Sequence, residues 1–252
     1  MQTVMVTGAS AGVGRSLALR FASEGFDVVA VARRSELLDE LAAEISDRYG
    51  QQVFPLCIDL TEPGAAERAY EEARGLGVTV LINNAGLGDW NYVWDVGVDR
   101  LHDMIDLNVR ALTVLSVLFT QDHRDTDAQL INVASAAGYA LFAGAVTYSA
   151  TKFFVTAFTE GIQLDIAAAG GTMKAKVLVP GPIDTEFTAI SLSETKFPAR
   201  GTDGVEFHTA DEIAEFAHQL YVSDRSVGLV DTADMSFRLS DSVHPTAWLT
   251  KR

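Results

Sequence analysis

Cysteine is nearly absent from this chain of 252 residues: Cys57 stands alone, so no intrachain disulfide framework can hold the fold, and the composition suits a reducing cytoplasm. Basic residues are scarce too, 19 Lys and Arg against 34 Asp and Glu, for a formal charge of −15. Nucleic-acid backbones, anionic lipid and strongly acidic carrier proteins all need clustered positive charge, so none of them is an expected partner. Long apolar runs are also missing. The stretch 111–119 is broken by Thr113 and Ser116 and falls short of the roughly 20 residues a membrane helix needs. A glycine turn arrives already at Gly8, before the basic and apolar regions of a signal peptide could fit, so no leader is expected. The five histidines form no i,i+4 pair and lack nearby cysteine or acidic partners, which gives no expected metal site. No GxSxG elbow surrounds Ser135, so hydrolase chemistry there is unsupported.

What remains is an ordinary core-forming composition, 48% hydrophobic and 21% charged. Short β-rich runs at 3–7, 27–32, 52–58, 79–83, 129–134 and 174–180 alternate with helical stretches at 13–24, 36–49, 63–74, 99–120, 148–168 and 211–221. In the second helix Leu37, Leu38, Leu41 and Ile45 recur at helical spacing, opposite Asp39, Glu40, Glu44 and Asp47. This alternation predicts an α/β fold, a doubly wound, mostly parallel sheet of Rossmann type with helices on both faces. Without repeats or a Pro/Gly/Ser-rich linker, residues 1–252 read as a single domain. Residues 182–208, long and without periodicity, read as a substrate lid or an irregular surface excursion, and 227–230 and 235–239 as short strands.

Chemistry is concentrated where strands end. The turn Thr7-Gly8-Ala9-Ser10-Ala11-Gly12-Val13-Gly14 lies between a strand and a helix, so its backbone can approach a pyrophosphate and the helix end can meet that anion. Further along come Asn83-Asn84-Ala85-Gly86, Ser135, Tyr148-Ser149-Ala150-Thr151-Lys152 and Pro180-Gly181, each at or just past a strand or opening a helix. This ordered set, TGxxxGxG through YxxxK, resembles the short-chain dehydrogenase/reductase family over residues 3 to about 185.

The resemblance implies an oxidoreductase that interconverts a ketone or aldehyde with an alcohol using a nicotinamide cofactor, with Asn108, Ser135, Tyr148 and Lys152 as catalytic residues. The residue types suit that work. A carbonyl oxygen needs a general acid, and Lys152 one helical turn from Tyr148 can lower a phenol pKa that is ordinarily about 10. Ser135 can hold the substrate oxygen against the phenol. By the family pattern Lys152 also holds the nicotinamide ribose, and Asn108 supports a water-borne proton path behind it. The resemblance further assigns to the cofactor the turn residues Gly8, Ser10, Gly12, Val13 and Gly14, then Asp59 and Leu60 beside the adenine, Asn84, Ala85 and Gly86, and Pro180, Gly181, Ile183 and Thr185 around the nicotinamide.

Cofactor choice follows from charge. Where NAD-preferring members of the family usually place an acid to hold the ribose hydroxyls, this chain has Ala32, and Arg33 and Arg34 follow, so the expected cofactor is NADP(H), its 2′-phosphate meeting Arg33 and, second, Arg34. Substrate contacts are expected from Ser135, Ala137, Phe142, Phe187 and Ile190, with Trp90, Tyr92, Trp94 and Leu192 nearby, an apolar wall suited to an aliphatic or aromatic carbonyl. Two rival readings are a 3-oxoacyl thioester reductase, disfavoured by the net acidic loop 121–127, and a non-catalytic NADPH-binding regulator, disfavoured by the complete catalytic set. The helix 148–168 is apolar nearly all round, and the resemblance implies a homodimer through it or a homotetramer; segment 231–252 departs from the family's acid-Gly-Gly ending.

Overall fold

Strands buried on both sides lose the alternation of a half-wet strand and become continuous apolar runs. Strands β1 (Thr3–Thr7) and β2 (Asp27–Ala32) show this pattern, every residue of each being buried. The computed structural model describes residues 2–184 and 207–246. The other strands are β3 (Val53–Cys57), β4 (Val78–Asn83), β5 (Gln129–Val133), β6 (Lys174–Val179), β7 (Val227–Val230) and β8 (Phe237–Ser240). All join one 8-stranded sheet in the order β3-β2-β1-β4-β5-β6-β7-β8. Each neighbouring pair is parallel except β7 and β8, where Gly228 faces Leu239 in an antiparallel ladder.

The helices are α1 (Gly12–Ser23), α2 (Ser35–Tyr49), α3 (Ala65–Arg74), α4 (Val98–Ile105), α5 (Leu112–His123), α6 (Val146–Ala169) and α7 (Ala210–Val222). On one face α1, α2 and α7 enclose Val4, Val6, Leu17, Phe21, Leu41 and Ile213. On the other, α3, α5 and α6 cover Met5, Val29, Leu81, Leu115, Phe119 and Leu130. Ser16 donates to Asp211 at 2.6 Å and Arg20 pairs with Glu215 at 2.8 Å, fixing α7 against α1.

The expected helix 99–120 is not uniform. Between α4 and α5 the backbone widens into a π-helical turn at Asp106–Ala111, and Asn108 sits inside it. Such a turn re-aims side chains without changing the apolar period enough to be read from sequence. The last strand begins at Phe237 and runs antiparallel. Because chain order reverses between β1 and β4, a crevice opens at the carboxyl ends of these strands, and the site residues gather there.

Candidate functional site

The glycine turn is shaped by conformations and distances that side chains would forbid. Gly8 and Gly12 have φ of +70° and +52°, in the left-handed region. A Cβ on Gly14 would stand 2.1 Å from the Gly8 carbonyl oxygen and 2.6 Å from the Asn84 amide nitrogen, so α1 could not approach β1 so closely. Thr7 braces the opposite wall: its hydroxyl accepts from the backbone N–H of Asn84 and of Ala85, both at 3.0 Å, while the Asn84 side chain donates to the Thr7 carbonyl at 3.0 Å. At Gly86 an added Cβ would lie 3.3 Å from Asn108 Oδ1 and 3.6 Å from Lys152 Nζ. The missing side chains form a cradle between the first strand and Lys152, and a dinucleotide's flat, phosphate-linked body fits such a cradle.

Ser135 lies past β5 and caps the short turn Ala136–Gly138, its hydroxyl accepting from Ala137 N–H at 3.2 Å. Tyr148 and Lys152 share a face of α6 and both are buried. Burial pushes the Tyr148 phenol up to about 12, and a hydrogen bond with Ser135 opposes that rise. Burial alone drives Lys152 down to about 8. Its ammonium donates to the Val133 carbonyl at 3.0 Å and lies 5.8 Å from the centre of the Tyr148 ring. Asn108 donates to the Leu87 carbonyl and accepts from Leu87 N–H, both at 2.8 Å, and donates to the Thr151 hydroxyl at 3.1 Å. Ser135, Tyr148, Lys152 and Asn108 therefore lie close together.

The far end of the crevice is more mixed. Arg33 is exposed, with its guanidinium 3.6 Å from the Asp59 carboxylate. Asp59 also accepts from the amide and hydroxyl of Thr61, at 3.0 and 2.8 Å. These bonds and Arg33 outweigh burial and hold its carboxyl below the usual range. Arg34 donates to Ser10 Oγ at 3.2 Å, bracing the glycine turn. Arg15 pairs with Glu44 of α2. Leu60 is buried in the core beside Ala85 and Leu107.

Beside the serine turn, buried Ala137 and Tyr148 pack with Met104 and Ala145, and half-buried Leu87, Trp90 and Leu101 surround them. The Phe142 ring meets Trp90 edge to face at 6.3 Å, and Tyr92 stacks on Trp94 at 4.8 Å. Trp94 and Leu141 are 76% and 81% exposed. Pro180 accepts from Ala136 N–H at 2.8 Å, tying the loop after β6 to the serine turn. Gly181 is pressed against Val230, and Ile183 forms an isolated parallel bridge with His208. Thr185, Phe187, Ile190 and Leu192, with most of the expected lid, lie outside the described residues.

Sequence reasoning missed Thr7, Thr151 and His208. Thr7 had a signal, since it opens the glycine motif; the pairing of Thr151 with Asn108 and of His208 with Ile183 has none, because both depend on backbone placement.

A family model described as short chain dehydrogenase matches residues 2–196. The chain is 34% identical over 192 residues to sulfoacetaldehyde reductase 2 of Chromohalobacter salexigens, a match covering 74% of this chain and 75% of that protein. It is 31% identical over 246 residues to 1-deoxy-11-beta-hydroxypentalenate dehydrogenase of Streptomyces exfoliatus, covering 95% of this chain and 86% of the other. Among solved structures, a short-chain dehydrogenase from Sphingobium yanoikuyae in complex with NADPH matches with a TM-score of 0.79 at 30% identity, over 90% of this chain and 86% of that one.

Proposed function

Because the chain belongs to the short-chain dehydrogenase family, we propose that it is an NADP(H)-dependent carbonyl reductase, acting reversibly on an apolar ketone or aldehyde within a single catalytic domain. The observation that carries this reading is the convergence of Ser135, Tyr148 and Lys152 under an apolar, aromatic rim. The nicotinamide, when bound, supplies or accepts the hydride. Ser135 positions the carbonyl oxygen, and the Tyr148 O–H gives that oxygen its proton in reduction, while in oxidation the phenolate takes it back. Lys152 favours the phenolate by its positive charge and reaches toward the ribose; Asn108 holds the backbone at Leu87 and the hydroxyl of Thr151, keeping the lysine's surroundings polar. Gly8, Gly12 and Gly14 give the pyrophosphate its close backbone approach, and Ser10, Val13, Asn84, Ala85, Gly86, Pro180, Gly181 and Ile183 line the rest of the cofactor's path.

Arg33 supports the choice of NADP(H), since an exposed guanidinium at the end of β2 can fork onto a dianionic phosphate. Arg34, bonded to Ser10, would serve the phosphate second. A second copy of the chain is expected against α6, whose rings Phe154 and Phe158 stack at 5.3 Å beside exposed Leu164. Free, exposed Cys57 supports a reducing compartment such as the cytoplasm.

The test is a panel from small aldehydes to aryl ketones and 3-oxoacyl thioesters, followed by NADPH absorbance, with Tyr148→Phe as control. The variant should lose about 10²- to 10⁴-fold in kcat while binding NADPH normally. Wild-type turnover in Tyr148→Phe would overturn the mechanism.

A further inference from the structure

The C-terminal segment left unexplained by the family pattern closes on a single buried carboxylate. Glu160, on α6, has a side chain only 4% exposed. One of its oxygens accepts from the backbone N–H of Val243 and of His244, at 2.8 and 2.9 Å, and from the Ser242 hydroxyl. Its other oxygen accepts from the Tyr139 hydroxyl. Four donors from two distant parts of the chain thus meet on one anion, which is how a buried charge becomes tolerable. The carboxyl is held below its usual range because these bonds outweigh burial.

Both partners lead to the substrate side of the crevice. Tyr139 directly follows the Ala136–Gly138 turn that Ser135 caps, and the exposed Leu141 and Phe142 come next. His244 stacks obliquely on the Tyr139 ring at 5.2 Å, and its Nε2 lies 3.0 Å from the Thr156 hydroxyl, which donates to the Gly138 carbonyl at 3.1 Å. Gly138 is pressed so hard onto α6 that a Cβ there would fall 2.7 Å from the Lys152 carbonyl oxygen. Tyr148, Lys152, Thr156 and Glu160 follow one another at four-residue steps, so one stripe of α6 carries the catalytic pair at one end and this cluster at the other.

We propose that Glu160 is a positioning residue for the substrate-side loop 136–145, and that Ser242-Val243-His244 is the clasp that keeps it in place. Glu160 touches neither substrate nor cofactor; it acts by anchoring Tyr139, and with it the serine turn and the Phe142 rim. Substrate fit then depends on the C-terminal segment although that segment supplies no reacting group. This inference rests on the carbonyl-reductase reading for its kinetic half alone.

The experiment compares the full-length chain with Glu160→Gln, Tyr139→Phe and a chain ending at Asp241, by amide hydrogen exchange, NADPH binding and steady-state kinetics on the preferred carbonyl. Glu160→Gln keeps the side-chain volume and loses the charge that gathers the donors. We expect faster exchange in 136–145, NADPH affinity within about twofold of wild type, and about a 10-fold rise in KM with a smaller change in kcat, the size of one charge-assisted hydrogen bond. Tyr139→Phe should move the same readouts in the same direction, less far, and the shortened chain should match Glu160→Gln. Unchanged exchange in 136–145 would overturn the proposal, as would losses of NADPH affinity and carbonyl KM in equal proportion, the mark of a general structural defect. Should Glu160→Gln fail to fold, Tyr139→Phe, which removes one hydroxyl, decides the matter by the same criteria. The exchange result judges the clasp even if Tyr148→Phe keeps its turnover, so failure of the reaction reading and failure of the clasp are separable.

Discussion

Replacing Lys152 by methionine should stabilise the cofactor-free protein while abolishing its chemistry. The lysine is 5% exposed, and its pKa falls from 10.5 to about 8 because burial penalises the charged form. At 1.36 kcal/mol per unit this is a cost of about 3 kcal/mol to the folded state. The sign follows from proton uptake: between 8 and 10.5 the unfolded chain binds the proton and the folded one does not, so stability rises with pH across that window. Below pH 8 the full cost is present; above 10.5 it is gone. Methionine is of similar length and carries no charge, but it loses the donation to Val133 O, about 1 kcal/mol, leaving a net gain of about 1–2 kcal/mol at pH 7. For a chain of this size that is a Tm rise of about 2–8 °C. Differential scanning calorimetry of Lys152→Met against wild type, at pH 7 and at pH 10.5, measures it. A variant no more stable at pH 7, or one whose advantage is as large at pH 10.5, would refute burial of the charge as the cause. Saturating NADPH should narrow the pH 7 gap, because ribose hydroxyls give the wild-type ammonium partners that methionine cannot use.

Two further substitutions probe the cofactor crevice. Arg33→Ala should raise the KM for NADPH by about 10- to 100-fold, the value of a lost charge-assisted phosphate contact, and change that for NADH by less than about threefold; equal effects on both cofactors in initial-rate assays would remove the basis for the NADP(H) preference. In Gly14→Ala the new methyl would meet the Gly8 carbonyl at 2.1 Å, so α1 must shift away from β1; about 1–3 kcal/mol of stability and measurable NADPH binding should both be lost, as read by thermal melts and fluorescence titration.

How far the sequence reveals this protein depends on whether a feature is local. The buried parallel strands β1 and β2 were legible because burial on both faces leaves short apolar runs, Val4 to Val6 and Val28 to Ala32, between polar ends. Tyr148 and Lys152 were legible because a four-residue step on a helix already places them together. The π-helical turn around Asn108 was not, since one widened turn leaves composition and period almost untouched. Arg33 and Arg34 read as a pair, yet they part: one reaches Asp59, the other Ser10, a choice of side-chain direction made by the fold. The contact between Glu160 and Ser242 spans 82 positions and has no sequence signature at all.

The bridge between Ile183 and His208, with Asp184 N–H on the His208 carbonyl and His208 N–H on the Pro182 carbonyl, has a consequence for how this chain can vary. It ties the turn after β6 to the chain just before α7 through main-chain groups alone. Main-chain hydrogen bonds are indifferent to the side chain that follows them, so Asp184 and His208 can each be exchanged for most residues without loosening this joint. Proline is the exception, since at either position it would remove the N–H that the joint requires.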